Sequence, residues 1–226
     1  MKLFLFDLDG TLVTTGGAGL RALDKAFFDL FGVKNTMKEM NPSGKTDPAI
    51  FREMANRFLK RELTNDEATA LAETYLTLLE KEMEVSTKRS PLAGVVEFLD
   101  HLSDRVDILC ALGTGNLERG ARIKLAPMNL NPYFSIGGFG SDAEERAEVL
   151  RFGHRRAEQK IGRSLVADDI YVIGDTTLDI AAARKAGFRA VGVASGNVPY
   201  DALAAAKPDY LWRDMKNGFE FLKTLA

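Results

Sequence analysis

The chain has few cysteines, no long apolar run and no excess of charge of one sign. Its single cysteine, Cys110, rules out an internal disulfide and favours a reducing compartment. Cys110 lies in the apolar run VDILCAL with no histidine nearby in sequence, so we interpret it as a buried, unreactive thiol. The net charge of -2 gives no electrostatic basis for binding nucleic acid or an anionic membrane. Because the sequence contains neither a run of membrane-spanning length nor a signal peptide, we expect a cytoplasmic protein.

Apolar runs and helical patterns alternate from about residue 88 onward. We predict strands at 106–112, 134–139, 170–174, 189–194 and 210–212. We predict helices from Pro91 through VVEFLDHL and at about 116–125, 143–160, 178–187, 199–206 and 215–225. Short apolar strands that alternate with helices are typical of a parallel sheet covered by helices on both faces.

Residues 15–87 show helical spacing and no convincing strand. A glycine-rich loop at 16–19 precedes the first helix, and a second helix is predicted at about 48–60. Thr64 and Glu67 have the spacing of a capping box, which predicts the start of a long third helix. This stretch therefore reads as a helical insert.

The apolar run at 3–6 belongs to the pattern of buried strands, although the helical insert separates it from the others. Hydrophobic residues make up 46% of the 226 residues and charged residues 27%, which fits a globular core with a small insert. We therefore predict an α/β fold. Residues 1–14 and 88–226 would form a core with a Rossmann-like parallel sheet, and residues 15–87 an inserted all-helical domain.

Two aspartates, Asp7 and Asp9, follow the first apolar run, and Gly10 and Thr11 come directly after them. Residues two apart in a strand point to the same side, and two carboxylates on one side are costly unless something positive lies between them. A metal ion or a phosphate-bearing substrate with its metal would supply that charge. An aspartate-rich turn is the alternative interpretation, and we favour the functional one for the whole DLDGT motif.

Polar residues also follow two later strands of the predicted sheet. Gly113–Asn116 follows the strand at 106–112, and the segment GDTTLD brings Asp175 and Asp179 after the strand at 170–174. Ligands of open parallel sheets bind at the carboxyl ends of the strands, so we expect all these groups to meet at one edge.

Each group has a chemical use at that edge. Carboxylate oxygens suit Mg²⁺, and the candidate metal ligands are Asp7, Asp9, Asp175 and Asp179. Thr114 and the backbone N–H groups of Gly115 and Asn116 open a predicted helix, which makes them candidate phosphate-binding groups. One carboxylate could form an aspartyl phosphate while a second carboxyl group transfers protons.

These motifs, DLDGT at 7–11, Thr114 at a strand end and GDTTLD at 174–179, resemble those of the haloacid dehalogenase (HAD) superfamily. The insert after the first motif resembles the small helical cap of phosphoglycolate phosphatase-like enzymes. The resemblance implies that Asp7 is the nucleophile and that Asp9 is the general acid/base, with Thr114 binding the phosphoryl group. It also implies that Asp7, Asp175 and the backbone carbonyl of Asp9 hold Mg²⁺, with Asp179 supporting the metal directly or through water.

The family also has a basic residue between the second and last motifs, often in a Lys-Pro context, and this chain has no such dipeptide there. Arg146, in GSDAEERAE, lies in the most similar position, and Lys160 is the second choice. The alternative for Arg146 is a solvated side chain that pairs with Asp142 or Glu145.

We therefore predict a Mg²⁺-dependent phosphatase that hydrolyses a small phosphorylated metabolite through an aspartyl phosphate on Asp7. An Asp at position 9 favours phosphate esters over haloacids, because a leaving alcohol needs a proton. A phosphomutase of the same superfamily, a phospho-aspartate signalling module and an inactive binding protein are the alternatives. We expect the loops at 16–19 and 41–47 to determine the substrate. Lys45 lies in the second loop, and we interpret it as a solvated lysine and not as a substrate-binding residue. The sequence carries no signal for an oligomeric state.

Overall fold

The computed structural model describes residues 1–225 and shows strands and helices in the predicted alternation. The strands are β1 (Lys2–Phe6), β2 (Val13–Thr15), β3 (Arg89–Pro91), β4 (Ile108–Gly113), β5 (Gly137–Gly138), β6 (Ile170–Gly174), β7 (Arg189–Val193) and β8 (Tyr210–Trp212). The α-helices are α1 (Ala18–Phe31), α2 (Asp47–Met54), α3 (Asn65–Val85), α4 (Val95–Ser103), α5 (Glu118–Leu125), α6 (Arg146–Ile161), α7 (Thr177–Ala186), α8 (Tyr200–Ala205) and α9 (Asn217–Thr224). A π-helical turn, Ala55–Leu59, extends α2.

Six of these strands form one parallel sheet in the order β5-β4-β1-β6-β7-β8, counted over residues 1–225. In this sheet β1 lies between β4 and β6, with Phe4 opposite both Cys110 and Tyr171. The N-terminal strand is therefore central, although the insert separates it in sequence from its neighbours. Because all three strands run the same way, their carboxyl ends lie side by side at one edge of the sheet.

Alternate residues of β1 pack on opposite faces of the sheet, as the two-residue period of a strand requires. Phe4 and Phe6 join the core beneath α4, α5 and α9, while Leu3 and Leu5 join the core beneath α6, α7 and α8. Helices cover both faces, so the predicted α/β fold is confirmed. No helix within residues 1–225 combines the length and the apolar character needed to cross a membrane.

Cys110, in the middle of β4, packs against the core formed with α4 and α9. Burial raises the pKa of its thiol to about 12, so the reactive thiolate is scarce at neutral pH. This agrees with the interpretation of Cys110 as an unreactive residue.

The helices α1, α2 and α3 build a separate apolar cluster from the residues between β2 and β3. Its fully buried members include Phe27, Met54, Leu71 and Leu79. This cluster contacts the rest of the molecule at α5. Leu117, which directly precedes this helix, and Ile123 within it both pack against the cluster. The insert thus has a core of its own and rests on the helix that follows β4.

A short antiparallel ribbon joins the insert to the sheet, with Val13 of β2 opposite Pro91 of β3. The prediction that Pro91 begins a helix is therefore wrong. Proline has no backbone N–H to donate to a neighbouring strand, so Pro91 is tolerated at the end of an edge strand. The helix α4 begins only after Gly94, whose φ of 79° is in the left-handed region. Three-residue strands carry too little periodicity to be predicted from sequence.

Several predicted boundaries also shift. The strand predicted from Val106 begins at Ile108, because the Val106 side chain is exposed. The strand predicted at 134–139 shrinks to Gly137–Gly138, since Phe134 and Phe139 fill the core as single side chains of a loop. The helix predicted from 143 begins at Arg146.

The predicted capping box at the start of α3 is confirmed, with the Glu67 N–H donating to Thr64 Oγ1 (3.2 Å) and the Thr64 N–H to Glu67 Oε2 (2.9 Å). We expect Thr64→Ala to lower the free energy of unfolding by about 1 kcal/mol, because the first turn loses an acceptor for its free N–H groups. Urea unfolding would measure this. Thr69→Ala, on the exposed surface of the same helix, is the control and should change stability little. Equal losses in the two variants would contradict the capping role.

Candidate active site

Residues far apart in sequence meet at the carboxyl edge of the sheet. Asp7 follows β1, and its backbone N–H donates to the carbonyl of Ile173 at the end of β6 (2.8 Å). One carboxylate oxygen from each of Asp7, Asp175 and Asp179 lies within 4.8 Å of the others, and all three residues are buried. The predicted convergence of the first and last motifs at one edge is therefore present in the structure.

Gly10 allows Asp175 to approach the turn after β1. Its φ of 85° is in the left-handed region, and a Cβ at this position would lie only 2.4 Å from Asp175 Oδ2. Thr11 Oγ1 donates a hydrogen bond to Asp175 Oδ1 (3.2 Å). The two residues after Asp9 in DLDGT thus make space for the carboxylate of GDTTLD and orient it.

Asp179 is held from both sides by hydrogen bonds. Its Oδ2 accepts from the Thr176 hydroxyl (2.7 Å) and backbone N–H (3.0 Å) in a capping box that starts α7. Its Oδ1 accepts from Arg146 Nε (2.8 Å). Both oxygens are therefore engaged by protein groups.

Arg146, the first residue of α6, points its buried guanidinium group into the carboxylate cluster. Its Nη2 lies 2.7 Å from Asp7 Oδ1 and 2.5 Å from Asp179 Oδ1. The buried guanidinium group therefore bridges the two carboxylates. Lys160, the second choice, is exposed in the last turn of the same helix.

The alternative of a solvated guanidinium at position 146 is wrong, because Arg146 is buried and pairs with Asp7 and Asp179. The two partners proposed for it pair with other residues. Asp142 forms an ion pair with Arg156 (2.6 Å), and Glu145 forms one with Lys185 (3.3 Å).

The loop after β4 presents Thr114 and Asn116 to the same edge. The Asn116 side-chain amide donates to Thr114 Oγ1 (2.8 Å) and to Asp9 Oδ2 (2.9 Å), which ties this loop to the first motif. A Cβ at Gly115 would lie 2.8 Å from Arg146 Nη1. The predicted phosphate-binding loop therefore lies against Asp9 and the guanidinium group of Arg146.

The start of α5 differs from the prediction, because the helix begins at Glu118 and not at 116. The backbone N–H of Leu117 donates to Asp47 Oδ2 (2.8 Å), so a carboxylate of the insert occupies the amino end of the helix. The backbone N–H of Asp47 donates in turn to the Gly115 carbonyl (2.7 Å). Any anion at this edge would thus meet the loop at 114–116 and not the helix end.

Sequence reasoning missed Asp47, whose buried carboxyl group has a pKa raised to about 6 chiefly by burial. Its neighbour Thr46 donates to the backbone carbonyl of Glu144 (2.7 Å), which gives the insert a second contact with the core. Lys45 lies 2.5 Å from Glu53 in an ion pair on the insert. An Asp before a Pro at the start of a helix resembles an ordinary cap, so no local signal marked Asp47.

Sequence reasoning also missed Lys124, on the inner face of α5. Its ammonium group lies 2.6 Å from both Asp9 Oδ2 and Asn116 Oδ1. Burial alone would lower the pKa of Lys124, but Asp9, Tyr75 and Asp47 together raise it above the ordinary value. Lys124 lies on the same face of α5 as the buried positions 120, 121 and 125. A charged residue on a buried helix face was the signal that could have revealed it.

The carboxylates carry strongly shifted pKa values. Burial raises the pKa of Asp175 to about 8, and repulsion by Asp7 and Asp179 adds to the shift. Burial also raises the pKa of Asp7 to about 6, although Arg146 opposes the shift. Crowded, buried carboxylates that resist ionisation fit a divalent cation, since a cation would favour their charged form. Hard oxygen donors of this kind suit Mg²⁺.

These shifts predict how stability depends on pH without a metal. Folded Asp175 keeps a proton that the unfolded chain releases near its ordinary pKa, so stability should fall as pH rises from about 4 to about 8. The slope contributed by this group reaches about 1.4 kcal/mol per pH unit. Thermal unfolding in a chelator should show a flatter profile for Asp175→Asn than for the unaltered protein. Asp201→Asn, an exposed control, should leave the profile unchanged, and parallel profiles for all three proteins would contradict the assignment.

Comparison with known proteins shows the family and the fold of this chain. A family model described as haloacid dehalogenase-like hydrolase matches residues 1–187. A protein of Caldanaerobacter subterraneus subsp. tengcongensis, provisionally named the pyrophosphatase PpaX, is 26% identical over 224 residues, which cover 97% of this chain and 93% of that one. The phosphoglycolate phosphatase of Agrobacterium fabrum is 27% identical over 197 residues, covering 86% and 81% of the two chains. The crystal structure of a hydrolase from Pseudomonas syringae shares the fold, with a TM-score of 0.73, 23% identity and 100% coverage of both chains.

Proposed function

The chain belongs to the haloacid dehalogenase-like hydrolases and is a phosphatase of that superfamily, and on that premise we propose that it hydrolyses a small phosphate monoester through Asp7 with the help of Mg²⁺. The observation that carries the proposal is the setting of the Asp7 carboxylate. It lies at the end of the central strand, against the guanidinium group of Arg146 and close to the carboxylates of Asp175 and Asp179. A nucleophile there has both a cation and a potential metal-binding group beside it.

Asp7, Asp175 and the backbone carbonyl of Asp9 would hold the Mg²⁺ ion, which when bound neutralises charge on the phosphoryl oxygens. Asp179 would support the site indirectly, because Arg146 and Thr176 already engage both its oxygens. We assign it to the orientation of Arg146 and to contact with the metal through water.

Phosphoryl transfer would then use residues of this chain in two balanced steps. A carboxylate oxygen of Asp7 forms a bond to phosphorus as the ester P–O bond breaks, and the leaving oxygen keeps the electron pair and takes a proton from Asp9. Asp9 next takes a proton from water as the water oxygen attacks phosphorus. The bond between phosphorus and Asp7 breaks, which releases phosphate and regenerates the carboxylate.

The phosphoryl oxygens would be bound by Thr114, by the N–H groups of Gly115 and Asn116, and by Arg146. The buried guanidinium group of Arg146 supports this role, because its planar N–H donors suit phosphoryl oxygens and its Nη2 lies 2.7 Å from Asp7 Oδ1. Thr114 is fully buried at the same edge.

We propose that residues 15–87 act as a cap that covers the substrate and excludes bulk water. The separate apolar core of the insert supports this division of the chain, and the contacts of Thr46 and Asp47 with the loops of the sheet support closure at this edge. The loops at 16–19 and 41–47 would select a small phosphorylated metabolite.

A panel of phosphorylated metabolites, assayed for free phosphate with Mg²⁺ and with a chelator, tests this function. We expect Mg²⁺-dependent phosphate release from at least one member. Transfer of phosphate between positions of a sugar without release would indicate a phosphomutase instead. A long-lived phosphoprotein with negligible release would indicate a signalling module.

A further inference from the structure

The ammonium group of Lys124 anchors one oxygen of Asp9 and leaves the other open. Asp9 Oδ2 accepts from Lys124 Nζ (2.6 Å) and from Asn116 Nδ2 (2.9 Å). Within residues 1–225, Oδ1 accepts no hydrogen bond. The Asp9 side chain is 41% exposed, while the Lys124 side chain beneath it is 6% exposed. The protein thus holds Oδ2 of this carboxyl group and leaves Oδ1 available to a substrate.

We propose that Lys124 is a positioning residue for proton transfer by Asp9, which it holds in the rotamer that presents Oδ1 to the leaving oxygen of the substrate. This role rests on the proposed phosphatase function. Without an anchor, an exposed carboxyl group on a turn samples several rotamers, and misplacement of a proton donor by a small distance slows the step that needs it.

The helical insert completes the surroundings of Lys124. A Cβ at Gly19, near the start of α1, would lie 3.4 Å from Lys124 Nζ and 3.8 Å from the hydroxyl oxygen of Tyr75 on α3. The start of α1 and the hydroxyl group of Tyr75 therefore lie close to the ammonium group. The anchor is buried because the insert rests on the core, which couples the position of Asp9 to the position of the insert.

Asn116 makes the anchor a three-part network. Its amide nitrogen donates to Asp9 and to Thr114 Oγ1, and its amide oxygen accepts from Lys124. Removing the ammonium group would leave the Asn116 oxygen without that donor and loosen both contacts of the amide. Lys124 therefore orients Asp9 directly and through Asn116.

A residue that only fills the interior of α5 would affect all substrates alike, whereas a residue that positions a proton donor affects substrates according to their leaving group. p-Nitrophenolate leaves readily without a proton, while the more basic phenolate of phenyl phosphate depends on one. Departure of the leaving group, and not the later hydrolysis common to both substrates, determines kcat/KM. The ratio of kcat/KM for phenyl phosphate to kcat/KM for p-nitrophenyl phosphate therefore separates the two roles.

The test compares Lys124→Met, Lys124→Arg and Asp9→Asn with the unaltered protein, in Mg²⁺, on both aryl phosphates. We expect Lys124→Met to lower kcat/KM for phenyl phosphate by about 10- to 100-fold and kcat/KM for p-nitrophenyl phosphate by less than about threefold. Asp9→Asn should show the same preference, and adding Lys124→Met to it should change little. Lys124→Arg keeps a cation and should recover part of the loss. Lys223→Met, which removes an exposed ion pair on α9, is the matched control and should leave both rates unchanged.

Each outcome decides between the roles. Equal losses of kcat/KM on the two substrates, no loss on either, or additive effects with Asp9→Asn would overturn the positioning role while leaving the phosphatase function in place. Activity on p-nitrophenyl phosphate reports that Lys124→Met is folded, and Lys124→Gln, which also removes the charge, repeats the comparison if it is not. An unaltered protein that hydrolyses neither aryl phosphate nor any member of the metabolite panel would overturn the proposed function and this role with it.

Discussion

Asp7→Asn should lower phosphatase turnover by about 10⁴-fold or more, because an amide cannot form the acyl phosphate on which both steps depend. The fold should stay intact. Burial already raises the pKa of Asp7, so a neutral side chain of the same shape suits this position at least as well as the carboxylate. We expect the thermal midpoint in a chelator to stay the same or rise.

Phosphate release from p-nitrophenyl phosphate and thermal unfolding would be measured on the same preparations. Asp29→Asn, an exposed substitution on α1, is the matched control and should leave both unchanged. A well-folded Asp7→Asn protein that kept more than a few per cent of the activity would contradict the assignment of Asp7 as the nucleophile.

Arg146→Met should have the second largest effect, a loss of about 10²- to 10³-fold in kcat, because the guanidinium group faces the position where phosphoryl charge develops. Arg146→Lys should be intermediate, since lysine keeps the charge but cannot bridge Asp7 and Asp179 in the same plane. Because Arg146→Met leaves both buried carboxylates without their cation, it should also cost about 3 kcal/mol of stability, and Mg²⁺ should restore part of it.

Arg156→Met separates the catalytic effect from loss of an ion pair in general. Arg156 lies on the same helix and pairs with Asp142, away from the carboxylate cluster. We expect this variant to keep its activity. Equal activity losses in the two methionine variants, measured in saturating Mg²⁺, would show that Arg146 acts through stability alone.

The meeting of Asp7, Thr114 and Asp175 could be predicted from sequence because it follows from topology. Each residue ends an apolar run of strand length, and parallel strands place such ends at one edge of the sheet. Arg146 required the family resemblance as well, because its position at the start of a helix does not by itself show which loop it faces. The structure places it against Asp7 and Asp179, and its catalytic role stays a prediction.

Lys124 and Asp47 could not be predicted, because their partners are set by how the insert rests on the core. Lys124 meets an aspartate 115 positions earlier in the chain, and Asp47 meets a backbone N–H 70 positions later. Neither distance leaves a local pattern. The ribbon of β2 and β3 was missed for a related reason, since each strand is three residues long and their pairing spans the whole insert.

A covalent trap tests the central claim most directly. The protein would be mixed with p-nitrophenyl phosphate and Mg²⁺, quenched in acid within a turnover, reduced with borohydride and digested, and the N-terminal peptide would be read by mass spectrometry. An acyl phosphate on Asp7 predicts conversion of residue 7 to homoserine, which should not occur without substrate or in Asp7→Asn. Reduction at another aspartate, or phosphate release with residue 7 unmodified at every quench time, would contradict the account.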